Sequence, residues 1–191
     1  SGVMVIIGMG NGMENYMKDS FKSLGTDLLT VNIVGTGTSR KVDVEDMYRL
    51  AADNPLYLKD VSPVVRVGGS VKIGSSTLEK TSVSGVGESY AAMKKHELSG
   101  GRFLHYADIL SRANVCVAGS HITKMWFNGD AVGKTIKING VTFTVVGALK
   151  EESESEEGGA DDIVYIPYST AARMSSAGMI STYSFQVVSE D

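Results

Sequence analysis

The chain has few of the residues that cross-link or stiffen small proteins, with one cysteine and three prolines among its 191 residues. A single cysteine cannot form an intrachain disulfide, so the stability of the fold has to come from a packed core. The hydrophobic content of 42% is enough for such a core, and the length suits one domain or two small ones.

An excess of positive charge is also missing. The net charge is −4, the pI is near 5.4, and lysines and arginines do not cluster with aromatic residues. No nucleic acid is therefore expected as a partner. Long apolar runs are absent as well, since no stretch of the sequence reaches the roughly 18 to 20 apolar residues that a membrane-spanning helix needs.

A Gly133-Lys134-Thr135 run is close to the motif of a nucleotide-binding loop. That motif needs a glycine where this chain has Asn128, and a helix after the lysine. Apolar and polar residues instead alternate on both sides of Asn139-Gly140, a pair that favours a two-residue type I′ turn. The spacing predicts a β-hairpin whose residues pair outward from Ile138 and Val141.

A second glycine-rich run, at 8–13, follows an apolar stretch as the turn of a dinucleotide-binding fold would. The fingerprint of that fold requires glycine where the chain has Met13, and an acidic residue at the end of the next strand, where it has Val34 and Gly35. These departures favour a helix loosened by small residues near a membrane or a packing surface. A nucleotide- or dinucleotide-binding enzyme domain is kept as an alternative function.

Residues that could perform catalysis or bind a metal do not form a recognisable constellation. His96, His105 and His121 are separated by 9 and 16 residues, and no second cysteine could join Cys116 in a zinc site. Cys116 lies in an apolar run, which predicts a buried side chain and not a reactive thiolate. The sequence therefore assigns no catalytic, cofactor-binding or metal-binding residue, and implies no cofactor.

The acidic residues are interpreted as structural or solvated. Asp108, Asp161 and Asp162 are spaced like helix caps and turn formers. Residues 151–157 contain five glutamates in seven positions and predict a solvated loop, because adjacent like charges repel and nothing apolar anchors them. The ligand spacing of a calcium-binding loop is absent there.

Hydrophobic periodicity predicts an α+β fold, with helices and strands interspersed along the chain. Helices are predicted at 13–24, at 44–52 after the cap Asp43, at 88–97 and at 120–127. Strands are predicted at 29–33, within 61–86, at 114–118, at 163–166 and at 183–188, in addition to the hairpin. Met125, Trp126 and Phe127 are expected to pack in the core.

Six separated segments carry motifs that occur together, in this order, in one family. They are Leu-Gly-Thr-Asp-Leu-Leu-Thr-Val at 24–31, Leu-Ser-Gly-Gly-Arg-Phe at 98–103 with Asp108 after it, 114–119, Trp126-Phe127, 132–147 and Asp-Ile-Val-Tyr-Ile-Pro at 162–167. The chain thereby resembles the extracytoplasmic core domain of MacB-like ABC transporter permeases, which include macrolide exporters and are related to lipoprotein-releasing permeases. Asp27 and Ala118 depart from the common Asn and Leu without disturbing the apolar pattern.

The resemblance implies a mixed α/β, porter-like subdomain with an inserted small β-rich subdomain. The first is expected to comprise residues 1–97 and 178–191, and the second 98–177. Residues 1–12 are expected to be the outer stub of a transmembrane helix. A strand edge left unpaired near the chain end could pair with a second copy.

The resemblance also implies a mechanical function outside the cytoplasmic membrane. The domain would transmit ATP-driven movement across the membrane to export a substrate, without catalysis of its own. The implied partners are a membrane-fusion-type adaptor protein, a cytoplasmic ATPase subunit or domain, and a second permease copy. The segments 61–86 and 151–159 are candidate contact surfaces, because binding concentrates on surface loops. A cell-surface interaction module is the other alternative function.

Overall fold

A computed structural model describes residues 3–8, 28–34, 43–175 and 179–188 of the chain. The described strands are β1 (Val3–Gly8), β2 (Leu28–Val34), β3 (Leu58–Arg66), β4 (Val71–Ile73), β5 (Ser76–Thr77), β6 (Ser82–Val86), β7 (Leu98–Gly101), β8 (Val115–Ala118), β9 (Thr135–Ile138), β10 (Val141–Leu149), β11 (Ile163–Pro167) and β12 (Thr182–Val187). The described helices are α1 (Val44–Asp53), α2 (Tyr90–Met93), α3 (Tyr106–Leu110), α4 (Ser120–Phe127) and α5 (Tyr168–Met174). The fold is α+β, and it divides into two compact units, residues 1–64 with 178–191 and residues 65–177.

The first unit contains a mixed sheet with the strand order β1-β2-β12-β3. β1 runs parallel to β2, whereas β12 is antiparallel to both of its neighbours. Asp43 is the N-cap residue of α1, as predicted, and its amide donates a hydrogen bond to the Asp46 carboxylate at 3.0 Å. Alternate residues of the strands and one face of α1 form the core, which consists of Leu29, Val31, Ile33, Met47, Leu58, Val61, Tyr183, Phe185 and Val187.

The first residues of the chain differ from the expectation of a helical stub over 1–12. Val3–Gly8 form a strand paired along its whole length with β2. This segment is rich in the β-branched residues valine and isoleucine, which favour extended backbone. The predicted helix at 13–24 and the rest of the glycine-rich run after Gly8 lie outside the described residues. Among the helices that the structure describes, none is long and apolar enough to cross a membrane.

The second unit is built on a mixed sheet with the strand order β6-β11-β8-β10-β9-β4-β5, and β7 pairs with β10 beside β9. The segment 65–97 belongs to this unit, which corrects the expected boundary at 97/98. The reason is hydrogen bonding: β4 pairs with β9, and β6 pairs in parallel with β11. Strands from 71–86 therefore complete the sheet of the later segment.

The predicted hairpin is confirmed by β9 and β10. Val141 pairs with Ile138 and Thr144 with Thr135, the register that the alternating pattern requires. Asn139 and Gly140 have φ angles of +49° and +79°, so both central residues are left-handed, as a type I′ turn demands. Apolar residues of the hairpin that point into the unit, such as Ile136 and Phe143, are completely buried.

The turn also fastens a neighbouring loop. The Asn139 side chain accepts a hydrogen bond from the Ser70 amide at 2.9 Å and donates one to the Gly68 carbonyl at 2.9 Å. Gly69, with φ of +120°, lies so close that a Cβ atom there would be 1.9 Å from the Asn139 Oδ1 atom. One asparagine thus sets the turn and holds the β3–β4 loop.

Two substitutions separate these roles of Asn139. Replacement by Gly keeps the left-handed turn and removes only the two side-chain hydrogen bonds, which should lower the free energy of unfolding by about 1 kcal/mol. Asn139→Ala also places an ordinary L residue in left-handed backbone, and should cost about 1 kcal/mol more. Urea unfolding of both variants measures the difference. Equal stability of the Ala and Gly variants would contradict this account of the turn.

Candidate functional site

In the Gly133-Lys134-Thr135 run, which leads into the hairpin, the Gly133 and Lys134 amides already bind backbone carbonyls and are not available to a phosphate. The Gly133 amide donates to the Val145 carbonyl at 2.8 Å, and the Lys134 amide donates to the Ala131 carbonyl at 3.0 Å. The Lys134 ammonium lies 3.7 Å from the exposed Asp130 carboxylate. The run therefore serves the β-structure, in agreement with the hairpin prediction.

Cys116 lies in β8 with no exposed surface, as its apolar neighbours predict. Burial raises the pKa of its thiol to about 12, which keeps the thiol protonated and unreactive. His96, His105 and His121 belong to different segments: the residues after α2, the N-terminal cap of α3, and α4. Within the described ranges, histidine, cysteine, aspartate and glutamate side chains do not gather in a group of three or more that could hold a metal ion.

Arg102 and Asp108 form an ion pair within the second unit. Both residues belong to one of the motifs that carry the family resemblance. The guanidinium donates two hydrogen bonds to the carboxylate, at 2.7 and 3.2 Å. The same carboxylate accepts the His105 amide at 2.7 Å and so caps α3. Arg102 holds the pKa of Asp108 below its usual value, chiefly through the side-chain hydrogen bond. The predicted capping role of Asp108 is confirmed.

Glycines in the same motifs allow two backbones to touch. A Cβ atom on Gly147 would lie 1.8 Å from the Arg102 carbonyl oxygen, and one on Gly101 would lie 2.2 Å from the Val146 oxygen. Any larger residue would separate β7 from β10. These motif residues therefore maintain the fold and do not form a reaction site.

Asp108→Asn should lower the free energy of unfolding by about 1 to 2 kcal/mol at neutral pH, a moderate value because the guanidinium is partly solvated. The pKa of Asp108 is lowered in the folded chain. The stabilisation is therefore present above the unfolded-state pKa of about 3.9 and is lost as the pH falls through the lower folded-state pKa. Denaturant unfolding from pH 7 to pH 3 should show the two proteins converging. Asp130→Asn, at an exposed ion pair, is the control and should change stability by less than about 0.5 kcal/mol at every pH.

A second polar feature of this unit is the acidic loop, defined as residues 151–159. Its glutamates are exposed, as predicted. The loop is nevertheless anchored, which the sequence did not indicate. The buried Asp161 carboxylate accepts the Glu152 amide at 3.1 Å and the Ser153 amide at 3.0 Å. The buried Asp162 carboxylate accepts the Gly158 amide at 2.9 Å.

The start of the acidic loop is joined to α4. The Lys124 ammonium contacts the Glu151 carboxylate at 2.8 Å, and this hydrogen bond is the main cause that lowers the pKa of Glu151 to about 2. The Glu151 carboxylate also accepts the Ser155 amide at 2.9 Å, and the Ser155 hydroxyl lies 2.8 Å from that of Ser120. These contacts offset the repulsion among the glutamates.

Glu152 is held by a buried aromatic cluster. The Nδ1 atom of His96 contacts the Glu152 carboxylate, and its Nε2 atom lies 3.1 Å from the Tyr165 hydroxyl. Tyr165 packs edge-on against Tyr90 and Phe103, with ring centroids 5.4 and 6.1 Å apart. Burial is the largest cause that raises the pKa of Tyr165, so its hydroxyl stays neutral. The loop is thus tied to the core as well as to α4.

Asp161→Asn should loosen the acidic loop without unfolding the unit. The asparagine NH₂ group replaces one carboxylate oxygen and cannot accept a hydrogen bond from a backbone amide of the loop. The loss of one charge-assisted hydrogen bond, about 1.5 kcal/mol, should raise the open population of the loop about tenfold. Limited digestion with a glutamate-specific protease, followed by mass spectrometry, measures cleavage within the loop. Asp130→Asn removes an acid elsewhere and should leave the rate unchanged. If Asp161→Asn were cleaved at the same rate as the unsubstituted chain, the Asp161 carboxylate would not be needed to anchor the loop, and the prediction would be wrong.

One expectation about α4 is wrong. Met125 and Trp126 do not pack in the core, because 64% and 38% of their surfaces are exposed. The buried residues of α4 all lie in its first half, namely Ser120, His121, Ile122 and Thr123. Met125 and Trp126, in the second half of the helix, lie beside the end of the acidic loop instead.

Two solved structures share this fold. The periplasmic region of MacB from Actinobacillus actinomycetemcomitans superimposes with a TM-score of 0.68, covering 92% of this chain and 81% of that one at 22% identity. The extracellular domain of the noncanonical ABC-type transporter YknZ from Gram-positive bacteria gives a TM-score of 0.58, covering 70% and 67% at 20% identity. This chain therefore shares the fold of these two domains.

The chain belongs to the family described as the MacB-like periplasmic core domain, whose family model matches residues 1–189. Curated relatives named macrolide export ATP-binding/permease protein MacB include one from Chlorobaculum tepidum, 30% identical over 179 residues, and one from Rhodospirillum rubrum, 29% identical over 198 residues. The alignments cover 88% and 97% of this chain. The chain spans only 27% and 30% of the length of those two relatives.

Proposed function

We propose that this chain is the extracytoplasmic domain of an ABC transporter permease. It would transmit ATP-driven conformational change across the membrane and so help to export a substrate. The observation that carries the proposal is the family match over residues 1–189. The relatives that contain this region are named for macrolide export and for ATP binding, and most of their length lies outside it. ATP hydrolysis is therefore assigned to a separate cytoplasmic domain or subunit.

The polar groups described above support a mechanical role over a catalytic one. Buried carboxylates and the guanidinium of Arg102 bind the chain's own backbone and side chains, which stiffens the unit. A domain that carries movement to a partner needs such stiffness, because a compliant body would absorb the displacement. The proposed partners are a membrane-fusion-type adaptor protein and a second copy of the permease. The acidic loop is a proposed contact surface because it is exposed and anchored.

The gene on either side of this segment tests the assignment first. An ABC permease requires flanking segments of roughly 20 apolar residues long enough to span the bilayer. A gene without such segments would contradict the proposal.

The side of the membrane can be tested in the full-length protein, because the only cysteine of this chain is buried. Glu154→Cys introduces a thiol in the exposed acidic loop. A membrane-impermeant maleimide added to intact spheroplasts should label this variant, whereas the permease without the substitution reports the background from thiols outside this chain. Labelling of the variant only after lysis would place the domain on the cytoplasmic side and overturn the proposal.

A further inference from the structure

A cleft of about 290 Å³ lies on the second unit beside the acidic loop. Three segments enclose it: the residues that connect β5 to β6, the exposed face of α4, and the end of the acidic loop. Its volume is just below the roughly 300 Å³ of the smallest usual ligand pockets, so it suits a small group rather than a drug-sized molecule. We call it the Trp126 cleft.

His121 lines this cleft and is 92% buried, since only 8% of its surface is exposed. Its backbone amide donates to the Asp161 carbonyl at 3.2 Å. Its ring nitrogens have no hydrogen-bond partner among the residues that the structure describes. Buried polar side chains normally have such a partner, so the ring supplies an unused hydrogen-bonding group inside the cleft.

Trp126 supplies an aromatic surface at the same place. It lies five residues after His121 on α4, it lines the cleft, and it remains partly exposed. Met125, four residues after His121, adds a flexible apolar wall on the same helix. A partly exposed indole ring attracts cations through its face, most strongly when the cation is an ammonium or a guanidinium group.

The charges of the lining residues are mainly negative. Glu79, Glu157 and Asp162 contribute three carboxylates, and Lys80 contributes one ammonium. Asp162 is already bound to the Thr81 hydroxyl at 2.6 Å and to the Gly158 amide, whereas Glu79 and Glu157 form no ion pair with a described residue. These two exposed carboxylates can therefore pair with a positive group in the cleft.

From this combination we propose that the Trp126 cleft binds the guanidinium or alkylammonium group of a small organic cation. The group stacks on the indole of Trp126 and pairs with Glu79 and Glu157, while a ring nitrogen of His121 accepts a hydrogen bond from it. Lys80 opposes binding by charge repulsion. This binding does not depend on the transport role.

The chain reports on the cleft directly, because Trp126 is its only tryptophan. Agmatine represents a free small cation, and acetyl-arginine methylamide represents an arginine side chain within a protein. Each is titrated at constant ionic strength while tryptophan emission is recorded. Both should change the emission in a saturable manner, and the neutral isostere acetyl-citrulline methylamide should not. If only agmatine binds, the ligand is a free small cation. If the blocked arginine also binds, the cleft accepts the side chain of a basic residue in a protein as well.

Charge variants with a matched control test the assignment to this cleft. Glu157→Gln should weaken binding about threefold, the value of an exposed ion pair, and Lys80→Ala should strengthen it by a similar factor. Glu154→Gln removes the same charge from the same loop but does not line the cleft, so it should have little effect. Equal weakening by Glu154→Gln and Glu157→Gln, an unchanged emission with both cations, or equal binding of the citrulline probe would each overturn the proposal.

Discussion

The second unit depends on the adjacent buried aspartates Asp161 and Asp162. Their carboxylates accept hydrogen bonds from both ends of the acidic loop, and the Asp162 carboxylate also binds Thr81. Their carbonyls accept the amides of His121 and Ser82. A buried carboxylate is costly unless its oxygens are satisfied, so these two residues force a loop, a helix and a strand to meet at one point. The Trp126 cleft lies where these elements converge.

Local sequence was sufficient to predict the structure where the residues of one short segment determine its conformation. Asn139-Gly140 with alternating flanks specified the hairpin and its register. Asp43 specified the start of α1, and the pattern at 120–127 specified α4. The buried state of Cys116 followed from its apolar neighbours. In each case, local preference and tertiary packing favour the same structure. The element could therefore be predicted without knowing which segment packs against it.

Sequence patterns did not predict the structure of segments whose conformation depends on a partner far away in the sequence. β7 is Leu-Ser-Gly-Gly, which has little preference for a strand; it is extended because Gly101 and Gly147 let it approach β10. The unit boundary depended on the pairing of β4 with β9, which no local pattern reveals. The acidic loop was expected to be unanchored because its glutamates repel. Its anchors, however, are Asp161 and Asp162 beyond its end and Lys124 and His96 from other segments.

The exposure of Met125 and Trp126 follows from the same constraint. α4 begins against the Asp161 backbone, where a Cβ atom on Gly119 would lie 2.3 Å from the Asp161 oxygen, so the first half of the helix is the part that packs into the unit. The large residues of α4 are consequently left outside, next to a loop that the aspartates hold in place. Apolar and aromatic surface, unpaired carboxylates and a buried imidazole are thereby brought together by groups that serve the fold. A surface for binding can thus arise in a domain whose family motifs, such as Arg102 with Asp108, serve the structure.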